Sequence, residues 1–535
     1  MPKKTQTETA ATLPGLRART GLSADERGRV ITICIALFAF TLLVYWTLGP
    51  QNTVYPHQVN QANNLIHGHV DLLPQYTIFP ENVERSLYDG EGFCYPPGDP
   101  QISTVPNARI SAGCKTYLMY SPGPAFLAVP AVAVWGNSLN QTLLSVLFGA
   151  ATAPIVFLIA ARFSSKALTR FLLTVLMMFG TVLWYVASNG GVWYFAHTTA
   201  TFFIFAAIYF TLAKPQPLFA AAMLGAAFLC RPTMIASGLF FVIAFIPLWL
   251  RKPEENGGRW GLNFSPIARF AAGLAPFLAI EGVFNYLRFD TPFETGYGYT
   301  EQAFQDFQKP LYTHGLFDIR YMPKHPRILL EAMPVFTKPG DPCDTSASCA
   351  PVIPSQNGLA IWVTTPAFLM TVFTGVTDRR IVRIGLALIA AACVYLLVRA
   401  MSNVVTDEWV TADVPPFAFE LLPFWGMIGV AVFFSIRNRD LLVAACWGAI
   451  IPLALAISYF AATGWAQWGY RYGLDFTPFL WLLVARHISD NLKAWHVALI
   501  VAAVAVNLFG ILCFYHFDAS NLGGWTWVAP GERFG

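Results

Sequence analysis

The stretch VITICIALFAFTLLVYWTL, Val30 to Leu48, decides what kind of chain this is. It is uncharged, and at about 1.5 Å per helical residue it reaches about 28 Å, close to the thickness of a bilayer's hydrocarbon core. It exceeds the apolar region of a signal peptide and runs into Gly49-Pro50-Gln51-Asn52 rather than a small-x-small cleavage site, so it reads as a retained membrane helix. The preceding segment sets Lys3, Lys4, Arg17, Arg19, Arg27 and Arg29 against Glu8, Asp25 and Glu26. Positive charge stays on the cytoplasmic side, so residues 1–29 read as a cytoplasmic tail, and Gly49 to Tyr117 falls outside.

The rest of the chain repeats the pattern. Its 535 residues are 55% apolar and 15% aromatic, only 12% are charged, and the mean hydropathy is +0.50. Soluble globular chains carry about twice that charge. A net charge of +4 with no long basic run leaves no nucleic-acid footprint, and the lipid bilayer is the main partner.

Charge and parity then set the topology. Two apolar stretches, Leu118 to Trp135 and Leu139 to Ala161, precede a basic turn with Arg162, Lys166 and Arg170. An outer loop reaches an inner turn through an odd number of crossings, so one stretch does not span. Leu118 to Trp135, interrupted by Pro122, Pro124 and Pro130, is expected at the outer interface. Further spans are expected at about 171–188, 190–212, 217–230, 233–250, 266–286, 358–376, 384–400, 417–436, 441–462, 473–486 and 495–515, thirteen in all. The expected fold class is an all-α polytopic membrane domain over residues 30–515, with outer loops at 49–138 and 288–357 and an extracytoplasmic tail at 516–535.

Cysteine positions agree with that orientation. Cys94, Cys114, Cys343 and Cys349 fall in the outer loops, and pairs Cys94–Cys114 and Cys343–Cys349 suit an oxidising compartment. No pair has zinc-ligand spacing with histidines, and need for a divalent cation as cofactor stays open.

Charge inside a bilayer is costly and marks function, and in this chain it is one-sided. His197, Arg231, Glu281, Glu420, Arg471 and Asp475 all lie toward the outer ends of their spans. The two long outer loops are rich in Tyr, Phe, Pro and acids, side chains that stack on sugar rings and bond to hydroxyls. A cavity open to one face fits a transferase better than a transporter, which needs polar groups near the midplane.

The first outer loop ending in Tyr120-Ser121-Pro122-Gly123-Pro124 and the Arg231-Pro232 hairpin are two marks of a family pattern. Asn285-Tyr286-Leu287-Arg288-Phe289-Asp290-Thr291-Pro292, then Glu294-Thr295-Gly296-Tyr297, and late Gly469-Tyr470-Arg471-Tyr472-Gly473-Leu474-Asp475-Phe476 complete the ordered set. In this layout the chain resembles the GT-C superfamily of membrane glycosyltransferases, in particular prokaryotic members related to protein mannosyltransferases. The resemblance implies transfer of a sugar from a polyprenyl-phosphate donor to a glycan, lipid or protein acceptor at the outer face of the plasma (inner) membrane, usually with inversion.

Such enzymes commonly carry a catalytic acid early in the first outer loop, where this chain has Asn63. An amide cannot take a proton, so the candidate catalytic acids are the next ones along the chain, Asp71, Glu81 and Glu84, with His57, His67 and His69 as alternatives. Arg231 and Arg471 are the phosphate-binding candidates, because a guanidinium presents a fork of donors that fits phosphate oxygens. Tyr472, Asp475, His67, Glu294 and Tyr297 complete the substrate-binding set, and Arg471 with Asp475 four residues on also has the spacing of a helix-surface pair. Two other function classes remain open: a transporter or flippase of lipid-linked intermediates, and a catalytically silent lipid- or glycan-binding membrane protein.

Overall fold

The first long helix, α1 (Ala24–Leu48), is the stretch that the hydropathy of Val30 to Leu48 requires. The computed structural model describes residues 24–53, 55–76, 92–95, 115–251, 259–297, 314–336, 352–353, 358–402, 418–464 and 467–516. Among these, eight helices are long and apolar enough to cross a bilayer: Glu26–Leu48, Gln141–Ala160, Val192–Ala213, Phe264–Phe289, Arg379–Met401, Phe419–Arg437, Leu441–Ser458 and Ala494–Tyr515. Among the described residues, strand is confined to three two-stranded antiparallel ribbons. The chain is a mostly helical, multi-pass membrane protein.

Local sequence sets where several helices begin. Helix α2 (His57–Ile66) follows α1, and α3 (Gly123–Trp135) leads into α4 (Gln141–Ala160). Asn140 caps α4 by accepting from Leu143 N at 3.1 Å, and Asp378 caps the helix Arg379–Met401 by accepting from Arg380 N at 2.7 Å. Each satisfies a backbone N–H that the first helical turn leaves without an intrahelical partner. At thirteen residues α3 is only about 20 Å long, too short to span.

The expected thirteen spans do not appear as thirteen long helices: five differ, one broken at Gly180 and four beside prolines. The stretch expected at 171–188 is two helices, α5 (Ala167–Phe179) and α6 (Leu183–Asn189), bent by 52° at the break; taken as one span, it raises the total to nine. Thr365 Oγ1 donates to the freed Gly180 carbonyl at 2.9 Å, and Thr181 Oγ1 accepts from Leu183 N at 3.3 Å. Hydroxyls thus replace helix bonds where lipid offers none. The stretch at 217–230 is α8 (Pro217–Cys230), which follows α7 (Val192–Ile208) and ends at Pro232. A 3₁₀ turn (Pro232–Ser237) and α9 (Gly238–Ala244) occupy 233–250. The stretches at 358–376 and 473–486 are a 3₁₀ segment (Pro366–Phe373) after a single α turn, and a twelve-residue helix (Thr477–Ile488). Hydropathy counts apolar residues and ignores backbone breaks, whereas proline removes a donor and forces its predecessor out of the helical region.

Burial sorts the bundle into inside and outside. In its most apolar stretch α7 is 78% buried, against 17% for α1 and for α10 (Phe264–Phe289), so α7 is a central helix and the other two lie at the rim. Small residues bring α10 onto α8: a Cβ on Gly273 would sit 2.2 Å from the Leu218 carbonyl oxygen, and one on Gly225 would sit 2.6 Å from the Phe277 ring. Such close approach is the main means by which helices associate in lipid, where apolar surface alone gives no drive.

The four loop cysteines bear on no pairing: Cys114, Cys343, Cys349 and the side chain of Cys94 lie outside the described residues. No disulfide occurs among the described residues, and Cys34, Cys230, Cys393, Cys446 and Cys513 are free thiols.

Candidate functional site

At the C-terminus of α8, Pro232 holds Arg231 in an extended conformation (φ −150°, ψ 112°), which ends the helix and turns the arginine away from its axis. Facing it is the 3₁₀ helix Arg471–Asp475. Gly469 places that segment: a Cβ there would meet Val182 at 2.3 Å, so only glycine lets the strand lie against the core.

Asp475 is the hub. Arg231 grips it as a fork, Nε donating to Oδ1 and Nη2 to Oδ2, each at 2.9 Å. Thr233 Oγ1 donates to Oδ2 at 2.8 Å, and His197 Nδ1 lies 3.0 Å from Oδ1. A carboxylate with four contacts from three residues and 1% side-chain exposure is saturated, and charge-assisted bonds of this kind are roughly twice as strong as neutral ones.

Arg471 does not pair with Asp475 as their four-residue spacing suggested. Its guanidinium lies among aromatic faces instead, 5.1 Å from the Tyr194 ring centroid, 5.4 Å from Tyr472 and 5.8 Å from Trp193, and Nη1 donates to Tyr194 Oη at 3.4 Å. Arg231 lies 5.7 Å from the Tyr472 ring, so both guanidinium groups lie near that ring. Taken by themselves, these three side chains, two guanidinium groups and one carboxylate, sum to one positive charge.

Three structures brace it. Gln141 ties α2 to the region: its Oε1 accepts from Gln58 N and Val59 N at 3.0 and 3.2 Å, and its Nε2 donates to the Gly190 carbonyl at 2.8 Å. Tyr55, just before α2, packs 5.1 Å from Trp193. Beyond the α8 terminus, Ser121 Oγ donates to Glu281 Oε1 at 3.0 Å, while Arg288 donates to the carbonyls of Leu118 and Tyr120 and to Asn285 Oδ1. On the far side, the short helix Lys324–Glu331 docks on the same late segment: His325 bonds through its two ring nitrogens to Tyr470 Oη and the Phe460 carbonyl, and Lys324 Nζ donates to the Ala461 carbonyl at 3.1 Å. Burial lowers the Lys324 ammonium to about 8 and the His325 imidazole to about 3, so His325 is a neutral brace near pH 7.

The sequence candidates divide accordingly. Arg231, Arg471, Tyr472 and Asp475 come together. Among their recorded contacts, Asp71 lies 3.6 Å from His69, and His67 stacks on Tyr76 at 3.9 Å with Nδ1 2.8 Å from the Asn63 carbonyl. Glu294 Oε1 accepts from Gly296 N at 2.7 Å within its own turn, and Tyr297 packs edge-on against Phe317 and Phe460. Glu81 and Glu84 lie outside the described residues. Asn63 donates to the Tyr76 carbonyl at 2.8 Å. Sequence reading passed over Trp193, Tyr194 and Thr233 and gave His197 no partner. A signal was present, because Trp193 and Tyr194 precede His197 by four and three residues and so share its helix face.

No metal-ligating group of three or more His, Cys, Asp or Glu occurs among the described residues. Comparison with known proteins finds no matching family model, no matching curated protein and no matching solved structure.

Proposed function

We propose that this chain is a membrane glycosyltransferase of the GT-C type, which moves a sugar from a polyprenyl-phosphate carrier to a hydroxyl of a glycan, lipid or protein acceptor at the extracytoplasmic face of the plasma membrane. The N-terminus is then cytoplasmic. The observation that carries the reading is the surplus positive charge of the Arg231–Asp475–Arg471 constellation, set among aromatic rings where broken helices meet.

A lipid-linked donor enters sideways from the bilayer and brings one negative charge on its phosphodiester, which matches that surplus. In the transfer, the acceptor oxygen forms a bond to the anomeric carbon, the bond from that carbon to the phosphate oxygen breaks, and its electron pair leaves with the phosphate. The leaving phosphate gains charge as the bond breaks, so arginines at its oxygens favour the transition state over the ground state. The rings of Tyr472, Tyr194 and Trp193 offer apolar faces for the sugar.

The test is binding and turnover by the full chain in lipid nanodiscs, with polyprenyl phosphate as the binding probe and labelled polyprenyl-phosphate hexoses and pentoses as donors. Arg471→Ala is expected to weaken polyprenyl-phosphate binding by roughly ten- to a hundred-fold, the value of a charge-assisted hydrogen bond or two. Arg231→Lys, which keeps charge but loses the fork onto Asp475, is expected to weaken it less. Unchanged affinity in Arg471→Ala, or no binding by the wild type, would overturn the proposal.

A further inference from the structure

We infer that His197 is the proton acceptor of this reaction, a role that rests on the glycosyltransferase reading. Three observations lead there. Asp475 Oδ1 receives both Arg231 Nε and His197 Nδ1, so the histidine and the phosphate-binding arginine share one carboxylate oxygen. That carboxylate is ionised against Arg231 and has no proton to donate, so Nδ1 carries the imidazole hydrogen and Nε2 keeps its lone pair. Nε2 is buried and has no hydrogen-bond partner among the described residues.

A buried nitrogen lone pair left unbonded is costly, and the cost is understandable where a substrate supplies the missing partner. The arrangement is that of a histidine base oriented by an aspartate, with the carboxylate fixing the tautomer and offsetting the imidazolium that forms. Tyr472, partly exposed, lies 5.8 Å from the His197 ring.

Charge balances throughout. Before transfer, two arginines, one aspartate and one phosphodiester sum to zero. The acceptor hydroxyl gives its proton to Nε2 as its oxygen bonds to the anomeric carbon, and the carrier departs as a phosphate monoester with a second negative charge. The imidazolium adds one positive charge, and the sum is again zero. The proton then leaves to water.

His197→Asn separates this role from a merely structural one, because the asparagine amide can occupy the Nδ1 position and keep the bond to Asp475 while Nε2 is lost. The readouts are polyprenyl-phosphate affinity and transfer of labelled sugar in nanodiscs, with His197→Gln run beside it. The expected result is wild-type affinity with turnover about a hundred to ten thousand times slower in His197→Asn. Turnover in His197→Asn within a few-fold of wild type would overturn the inference and leave the glycosyltransferase reading standing. Loss of lipid binding together with turnover in both His197 variants would also overturn it, and would mark the residue as a brace for Asp475. A wild type that binds polyprenyl phosphate yet transfers no sugar would end both.

Discussion

Replacing Asp475 by alanine is expected to cost about 3–5 kcal/mol of stability, the usual consequence of removing one partner from a buried ion pair. The carboxylate is fully enclosed, and its loss strands Arg231, Thr233 and His197 together. Two guanidinium groups near the Tyr472 ring would then lose the carboxylate that Arg231 holds. Thermal unfolding of the purified protein in detergent would register this as a large drop in Tm. Asp475→Asn keeps the shape and one acceptor oxygen and should fall between alanine and wild type. An Asp475→Ala protein that unfolds within a degree or two of wild type would mean that the hub is not structural.

The second large effect is expected at Gly123, where α3 begins. A Cβ there would lie 2.5 Å from the Leu229 carbonyl carbon and oxygen and 2.7 Å from Cys230 N, all backbone atoms that cannot swing aside. Gly123→Val must therefore push α3 off the end of α8. That end carries Arg231, and the turn before Gly123 carries the Ser121 hydroxyl bound to Glu281. Overpacking of this kind typically costs about 1–3 kcal/mol, and more where the contact is to backbone. Polyprenyl-phosphate binding should fall along with Tm, whereas Gly426→Ala, at a glycine with open space around it, should change neither. Parallel measurements on the two variants check the prediction.

Hydropathy found the eight long helices because a lipid-facing helix is apolar along its whole length, as Arg379–Met401 and Ala494–Tyr515 are. It overcounted where the backbone breaks, at Gly180 and, in the other four stretches, beside prolines. Pro232, Pro366 and Pro478 stand at or near the starts of the short segments that fill the interior, where protein replaces lipid as the surroundings. The position of Arg231, Arg471, Asp475 and His197 near helix ends was legible as well. Their pairing was not. Arg231 and Asp475 are 244 positions apart, and the local rule favoured Arg471 with Asp475 at a spacing of four. That rule assumes an α-helix, whereas residues 471–475 form a 3₁₀ turn with a different side-chain geometry. In the same way Glu420, readable only as a lone acid near a helix start, pairs at 2.8 Å with Arg399 from the preceding span.

The most direct test of the central claim is the structure of the full chain in a lipid nanodisc with polyprenyl phosphate bound. The account predicts the phosphate within hydrogen-bond distance of Arg471 and Arg231, beside Tyr472, with its chain passing between helices into the bilayer. A phosphate bound elsewhere on the chain, with the Arg231–Asp475–Arg471 constellation untouched, would contradict it.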